Sequence, residues 1–191
     1  MKPSTRFLLL PLLLTSLGVS KVLPQESAPL AWRLSQKTDA ARAVTYAQFT
    51  LTGKFLKAPQ HAGDISNRPA MVVDCNPGKE SHKGKFESAS LLIGANLKII
   101  YVEPEEIHGT SYFPKVLVHY RVNDAKEEEG RWSPGSDKTS VAVPKDAFKK
   151  ILRAQTVNLT ATDDSGAEIL MKFDIPDSKA VEEGCNVDDK Q

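Results

Sequence analysis

KVLVHYRVNDAKEEEGRWSPGSD, residues Lys115 to Asp137, is the stretch whose reading decides the fold. Val116, Val118 and Tyr120 alternate with Leu117, His119 and Arg121. That is the period-two pattern of a strand with one apolar face and one face carrying an imidazole and a guanidinium. An acidic turn follows, with Glu127-Glu128-Glu129 read as a polar hairpin tip, and Arg131-Trp132-Ser133 returns the chain to the sheet. No catalytic motif lies within the stretch. It predicts antiparallel β-structure and leaves the chemistry open.

Working outward, the same alternation recurs on both sides. Strands are expected over 31–35, 43–51, 68–75, 86–93 and 97–102 before the hairpin, the last two joined by Gly94-Ala95-Asn96. After it they are expected over 139–143, 156–161 and 168–175. The turn Asp163-Asp164-Ser165-Gly166 makes the final pair a hairpin. Pro144 to Arg153 reads as an amphipathic helix, with proline in its first turn and Ala147, Phe148, Ile151 and Leu152 on one face. A short helix over Asp177 to Glu183 then delivers Cys185. The expected class is α+β, a predominantly antiparallel β-sheet with one central amphipathic helix and a short C-terminal one.

The first 20 residues have the layout of a secretory signal peptide. Lys2 and Arg6 precede an apolar run from Phe7 to Leu14, and the exit carries Thr15, Ser16, Gly18 and Ser20. The run is shorter than the roughly 20 residues a bilayer span needs. Cleavage is expected after Ser20, leaving a tether over 21–30 and one domain over 31–187. Of 25 basic residues, losing Lys2 and Arg6 leaves 23 against 24 acidic ones, a net charge of −1. A near-neutral chain has no electrostatic footprint for nucleic acid, and no transmembrane segment is expected after cleavage. The basic run Lys79 to Lys85 reads as a solvated loop. Periplasmic or secreted localisation follows. There Cys75 and Cys185 have one possible pairing, a disulfide, against the alternative of two separate buried thiols.

No motif in the sequence carries a recognisable chemistry. His61, His82, His108 and His119 are scattered without ligand spacing, so no metal is expected. No GxSxG elbow or glycine-rich phosphate cradle is present, and no cofactor is implied. Glu103, Glu105 and Glu106 read as a solvated acidic loop rather than a glycosidase pair. Trp32 and Trp132 read as core tryptophans hydrogen-bonded through the indole, with a sugar-stacking platform as the alternative. Arg121 beside Tyr120 reads as an ion-pair former, with Asp124 or Asp137 as partner.

Taken in order, several blocks resemble the VasI/TagO-type periplasmic proteins associated with bacterial type VI secretion. They are Trp32-Arg33-Leu34-Ser35, the run from Arg68 to Cys75, Val118 to Asp124, and Trp132-Ser133. Phe148 to Leu152, Lys172 to Ile175 and the last helix to Cys185 complete the series, over 31–187. The chain departs from the family's pattern in having only Asp39 where an acidic pair is usual, and Asn123 where an aspartate is usual. The resemblance implies a β-rich domain with no enzymatic activity and no cofactor. The expectation is a non-catalytic accessory or binding protein whose partner is a protein or a cell-wall component. The alternatives are a cell-wall hydrolase enlisting Glu103, Glu105 or His119, and a carbohydrate-binding module using Trp132. Candidate binding or structural residues are Trp32, Tyr120, Arg121 and Trp132.

Overall fold

The computed structural model describes residues 31–39, 44–59, 68–76, 84–102 and 112–187. The expected signal peptide, the tether, residues 40–42 of the turn expected over Thr38 to Arg42, most of the 79–85 loop, and the residues His61, His82, Glu103, Glu105, Glu106 and His108 lie outside the described residues; Thr38 and Asp39 of that turn are instead extended, as the end of the first strand. Twelve strands and two helices are formed among those described. The first six strands are β1 (Arg33–Asp39), β2 (Val44–Thr52), β3 (Lys54–Lys57), β4 (Ala70–Asn76), β5 (Gly84–Leu92) and β6 (Ile100–Val102). Next come β7 (Phe113–Val122), β8 (Glu128–Pro134), β9 (Ser140–Ala142) and helix α1 (Lys145–Leu152). The chain continues through β10 (Thr156–Thr162), β11 (Glu168–Asp174), α2 (Lys179–Gly184) and β12 (Cys185–Asn186).

The strands form one sheet in the order β1-β2-β4-β5-β9-β8-β7-β10-β11-β3, with β6 on β7 and β12 on β5. Every pairing is antiparallel except β12 with β5. The sheet curls into a half-barrel. One corner explains much of the curl. β2 pairs with β4, while β3, which follows it after the single residue Gly53, pairs with β11 at the far end of the strand order. A Cβ on Gly53 would stand 2.7 Å from Phe173 Cε1 and 2.8 Å from the Lys172 carbonyl oxygen, so only glycine lets the backbone pass.

Alternation puts the apolar set on the inside of the curl. Met71, Val73 and Cys75 of β4, Val116, Val118 and Tyr120 of β7, Val157, Leu159 and Ala161 of β10, and Ile169, Met171 and Phe173 of β11 are all buried. α1 adds Ala147, Phe148, Ile151 and Leu152 to the same cluster, and Phe148 stacks on Phe86 of β5 at 5.5 Å between ring centroids. Each such large side chain contributes about 1.5–3 kcal/mol on leaving water. Asp146 in the first turn of α1 and Lys149 and Lys150 in the last suit the helix dipole. In β5 the buried positions change parity, from Phe86 to Ala89 and Leu91. The β4–β5 register shifts there, with Asp74 opposite Ser88 but Cys75 opposite Phe86, so Glu87 is the extra residue of a bulge.

Several expectations are corrected. The 97–102 segment is not a strand hairpinned onto β5. Leu97 is buried, bridges Asp163 and donates its N–H to the Lys138 carbonyl, so only Ile100–Val102 is extended, and it pairs with β7. Glu128 and Glu129 belong to β8 rather than to the hairpin tip. β3 and β12 were not expected as strands.

Cys75 and Cys185 are joined in a disulfide, with their Cα atoms 5.5 Å apart across a sequence separation of 110. The approach depends on Gly84, which pairs with Cys185. A Cβ on Gly84 would lie 2.5 Å from the Gly184 carbonyl oxygen and 2.7 Å from that of Asn76. β4 and β12, which bear the cysteines, each pair with β5, and Gly84 presents no side chain between them.

Candidate functional surface

Tyr120 and Glu128 face each other across the β7–β8 ladder. The Tyr120 hydroxyl donates to Glu128 Oε2 at 2.8 Å, and the Lys150 ammonium of α1 donates to both carboxylate oxygens, at 2.8 and 2.7 Å. Burial, with Tyr120 only 7 % exposed, and then the Glu128 carboxylate, push the phenol up to about 12. Hydrogen bonds from Lys150 first, and from Tyr120 second, hold Glu128 below the usual glutamate range. The trio ties the helix to the hairpin. A phenol kept protonated and a carboxylate kept ionised are poor proton-transfer groups at neutral pH.

On the other face of β7, the convex one, His119 Nδ1 and an Arg121 guanidinium nitrogen lie 3.7 and 3.8 Å from the two Glu127 carboxylate oxygens. This corrects the expected partner of Arg121. The pairing of Tyr120 with Glu128 carries Arg121 toward Glu127, whereas Asp137 accepts from the Thr139 N–H at 3.0 Å and the Ser140 hydroxyl at 2.9 Å. Those bonds, led by the backbone one, lower the Asp137 pKa and fix the β8–β9 turn. The register then lays Arg121, Asn158, Lys172 and Lys54 side by side across β7, β10, β11 and β3. Lys172 is itself 3.3 Å from Asp174. The convex face of this sector is a polar band richer in cations than in anions.

The two tryptophans sit elsewhere. Trp132 is 2 % exposed and tilted against Tyr120 at 5.6 Å, so its faces are packed and not open to stack on a sugar. Trp32 is also buried, and its Nε1 has no hydrogen-bond partner among the described residues, contrary to the expected indole hydrogen bond. Tyr120 and Trp132 are therefore brought together in the core, Arg121 is placed outside, and Trp32, just before β1, joins the same buried cluster.

One concavity was not legible in the sequence. A cleft of about 580 Å³ is lined by Asn96, Leu97, Lys98, Ile99, Lys138 and Asp164. Lys138 sits there in the left-handed region at φ 57°. The signal was a lysine in a turn that favours glycine or asparagine, which no periodicity detects. Among the described residues no group of three or more His, Cys, Asp or Glu could hold a metal ion. No helix among them is long and apolar enough to cross a membrane.

Fold and surface define a disulfide-clamped antiparallel β-protein with a packed interior and a polar convex face. Comparison with protein-family models, with curated proteins and with solved structures found no match.

Proposed function

We propose that this chain is an exported, non-catalytic binding or accessory protein of the cell envelope, of the kind that VasI/TagO-type proteins represent around type VI secretion. The observation that carries the reading is the disulfide between Cys75 and Cys185. Such bonds persist in oxidising compartments and are rare in reducing ones. The signal-like opening of the sequence and the ordered blocks of the resemblance support the same compartment. The polar band of His119, Arg121, Asn158 and Lys172 supplies a surface of fixed donors suited to protein or cell-wall acceptors.

The test is fractionation with intact-mass analysis in a bacterial host, followed by affinity capture from envelope extracts. A mature chain beginning at Lys21 in the periplasm, oxidised, that captures an envelope component through Arg121 supports the reading. A full-length chain retained in the cytoplasm with free thiols overturns it. Clearing of cell-wall material by the purified protein, abolished by His119→Ala, would instead establish the hydrolase.

A further inference from the structure

β1 is built differently from the other end of the sheet. The β3 end is blunted in three ways known to discourage edge pairing: it is four residues long, carries Lys54 and Lys57, and adjoins a register shift in β11. β1 is seven residues long, pairs among the described residues with β2 alone, and runs without a register shift from Arg33 opposite Thr50 to Asp39 opposite Val44. Residues 33 to 38 are exposed on both faces of the strand, Leu34 by 64 %. Among the described residues no strand pairs with its outer edge. A long, straight edge with free backbone donors and acceptors is a template for another strand.

The residues of β1 say which strand. Written RLSQKTD, the strand is centred on Gln36. Paired antiparallel with itself about that residue, it sets Gln36 opposite Gln36, Leu34 opposite Thr38, Ser35 opposite Lys37 and Arg33 opposite Asp39. Two oppositely charged positions therefore meet, one at each end, and no like charges do. Lys37 is already engaged 3.8 Å from Asp74 on its own sheet, so it is directed away from the new edge. The row of Leu34, Gln36 and Thr38 carries no charge at all. Opposite-charge pairs across an antiparallel ladder are favourable, whereas like charges directly opposite are not. An unrelated strand meets a cation at one end of β1 and an anion position at the other; a second copy of β1 matches both.

We infer that β1 is a self-complementary docking edge, at which a second copy of this chain adds antiparallel to form a two-fold dimer with one continuous sheet. The interface is small, so the dimer is reversible and concentration-dependent. It does not depend on where the protein resides.

The test is sedimentation of the oxidised protein over a dilution series, with charge-reversal variants. Arg33→Asp alone should weaken the dimer about tenfold, because each end then sets two anionic positions opposite. Arg33→Asp combined with Asp39→Arg should restore it, since the pairing is only exchanged. A folded Arg33→Asp protein that dimerises like the parent, or a double variant no better than the single, overturns the register. The second measurement is covalent: Gln36→Cys should give a disulfide-linked dimer on a non-reducing gel, whereas Leu34→Cys should not. Equal cross-linking at both positions, or a parent that stays monomeric throughout the series with no Gln36→Cys cross-link, overturns the proposal.

Discussion

At the scale of single residues, Tyr120 is where the packed interior and the polar rim of the β7–β8 hairpin meet. Its ring lies against Trp132 and its hydroxyl reaches Glu128 at 2.8 Å. Tyr120→Phe keeps the ring and removes one hydrogen bond, so it should lower stability by about 1 kcal/mol, read from denaturant midpoints. Because the phenol is raised to about 12, its protonated form is favoured by folding. That contribution is whole below the ordinary tyrosine value and fades as pH climbs through about 12. Ultraviolet titration should show the most alkaline phenolate step of the wild type missing in Tyr120→Phe. The signs of Glu128 and Asp137 run the other way. Both are lowered, so each stabilises above its ordinary value, and the effect is lost as pH falls through the lowered one. Lys150→Met removes the first cause at Glu128, and its carboxyl, followed by NMR, should titrate at higher pH than in the wild type.

At the scale of elements, glycines decide which strands can touch. Gly84→Ala places a methyl against two backbone oxygens that have no rotamer to escape into. Forced repacking of this kind costs roughly 1–3 kcal/mol. The variant should melt lower, and amide exchange should speed first in β12 and the adjoining end of β5. What could be read from the sequence divides along the same line. Val116, Val118 and Tyr120 announce the inward face of β7 because alternation is a local property. The Asp163 to Gly166 turn announces its hairpin for the same reason. The bulge at Glu87 is set by β4 across the ladder, and it turns Phe86 and Ala89 inward from positions of opposite parity. β3 has only Phe55 half-buried in its four residues, and it is extended because β11 waits for it beyond the Gly53 corner. Arg121 meets Glu127 rather than Asp124 or Asp137, because the register of the hairpin, and not distance along the chain, sets which acid it faces. Local patterns show in one segment; partners show only when two segments are aligned.

At the scale of the whole molecule, the disulfide joins the first half of the sheet to the last turn of the chain. In the chain-entropy picture, closing a loop of that length stabilises the fold, typically by about 2–4 kcal/mol. Reduced protein should melt lower than oxidised protein by that amount, and Cys185→Ser should match the reduced wild type under either condition. Equal melting of oxidised and reduced protein would show that the fold does not rely on the clamp. There is a mechanical side to the same bond. Stretched by its two ends, the oxidised chain can lengthen only through residues before Cys75 and after Cys185, because the cysteines, separated by 110 positions, cannot move apart. Roughly 360–400 Å of contour is thereby hidden from tension. β5, β7, β10 and α1 all lie within the shielded segment. A single-molecule trace should therefore lack that length until a reductant is added. Under load, β1, β2, β3 and the part of β4 before Cys75 would be drawn out, while the strands from β5 to β11 stayed shielded.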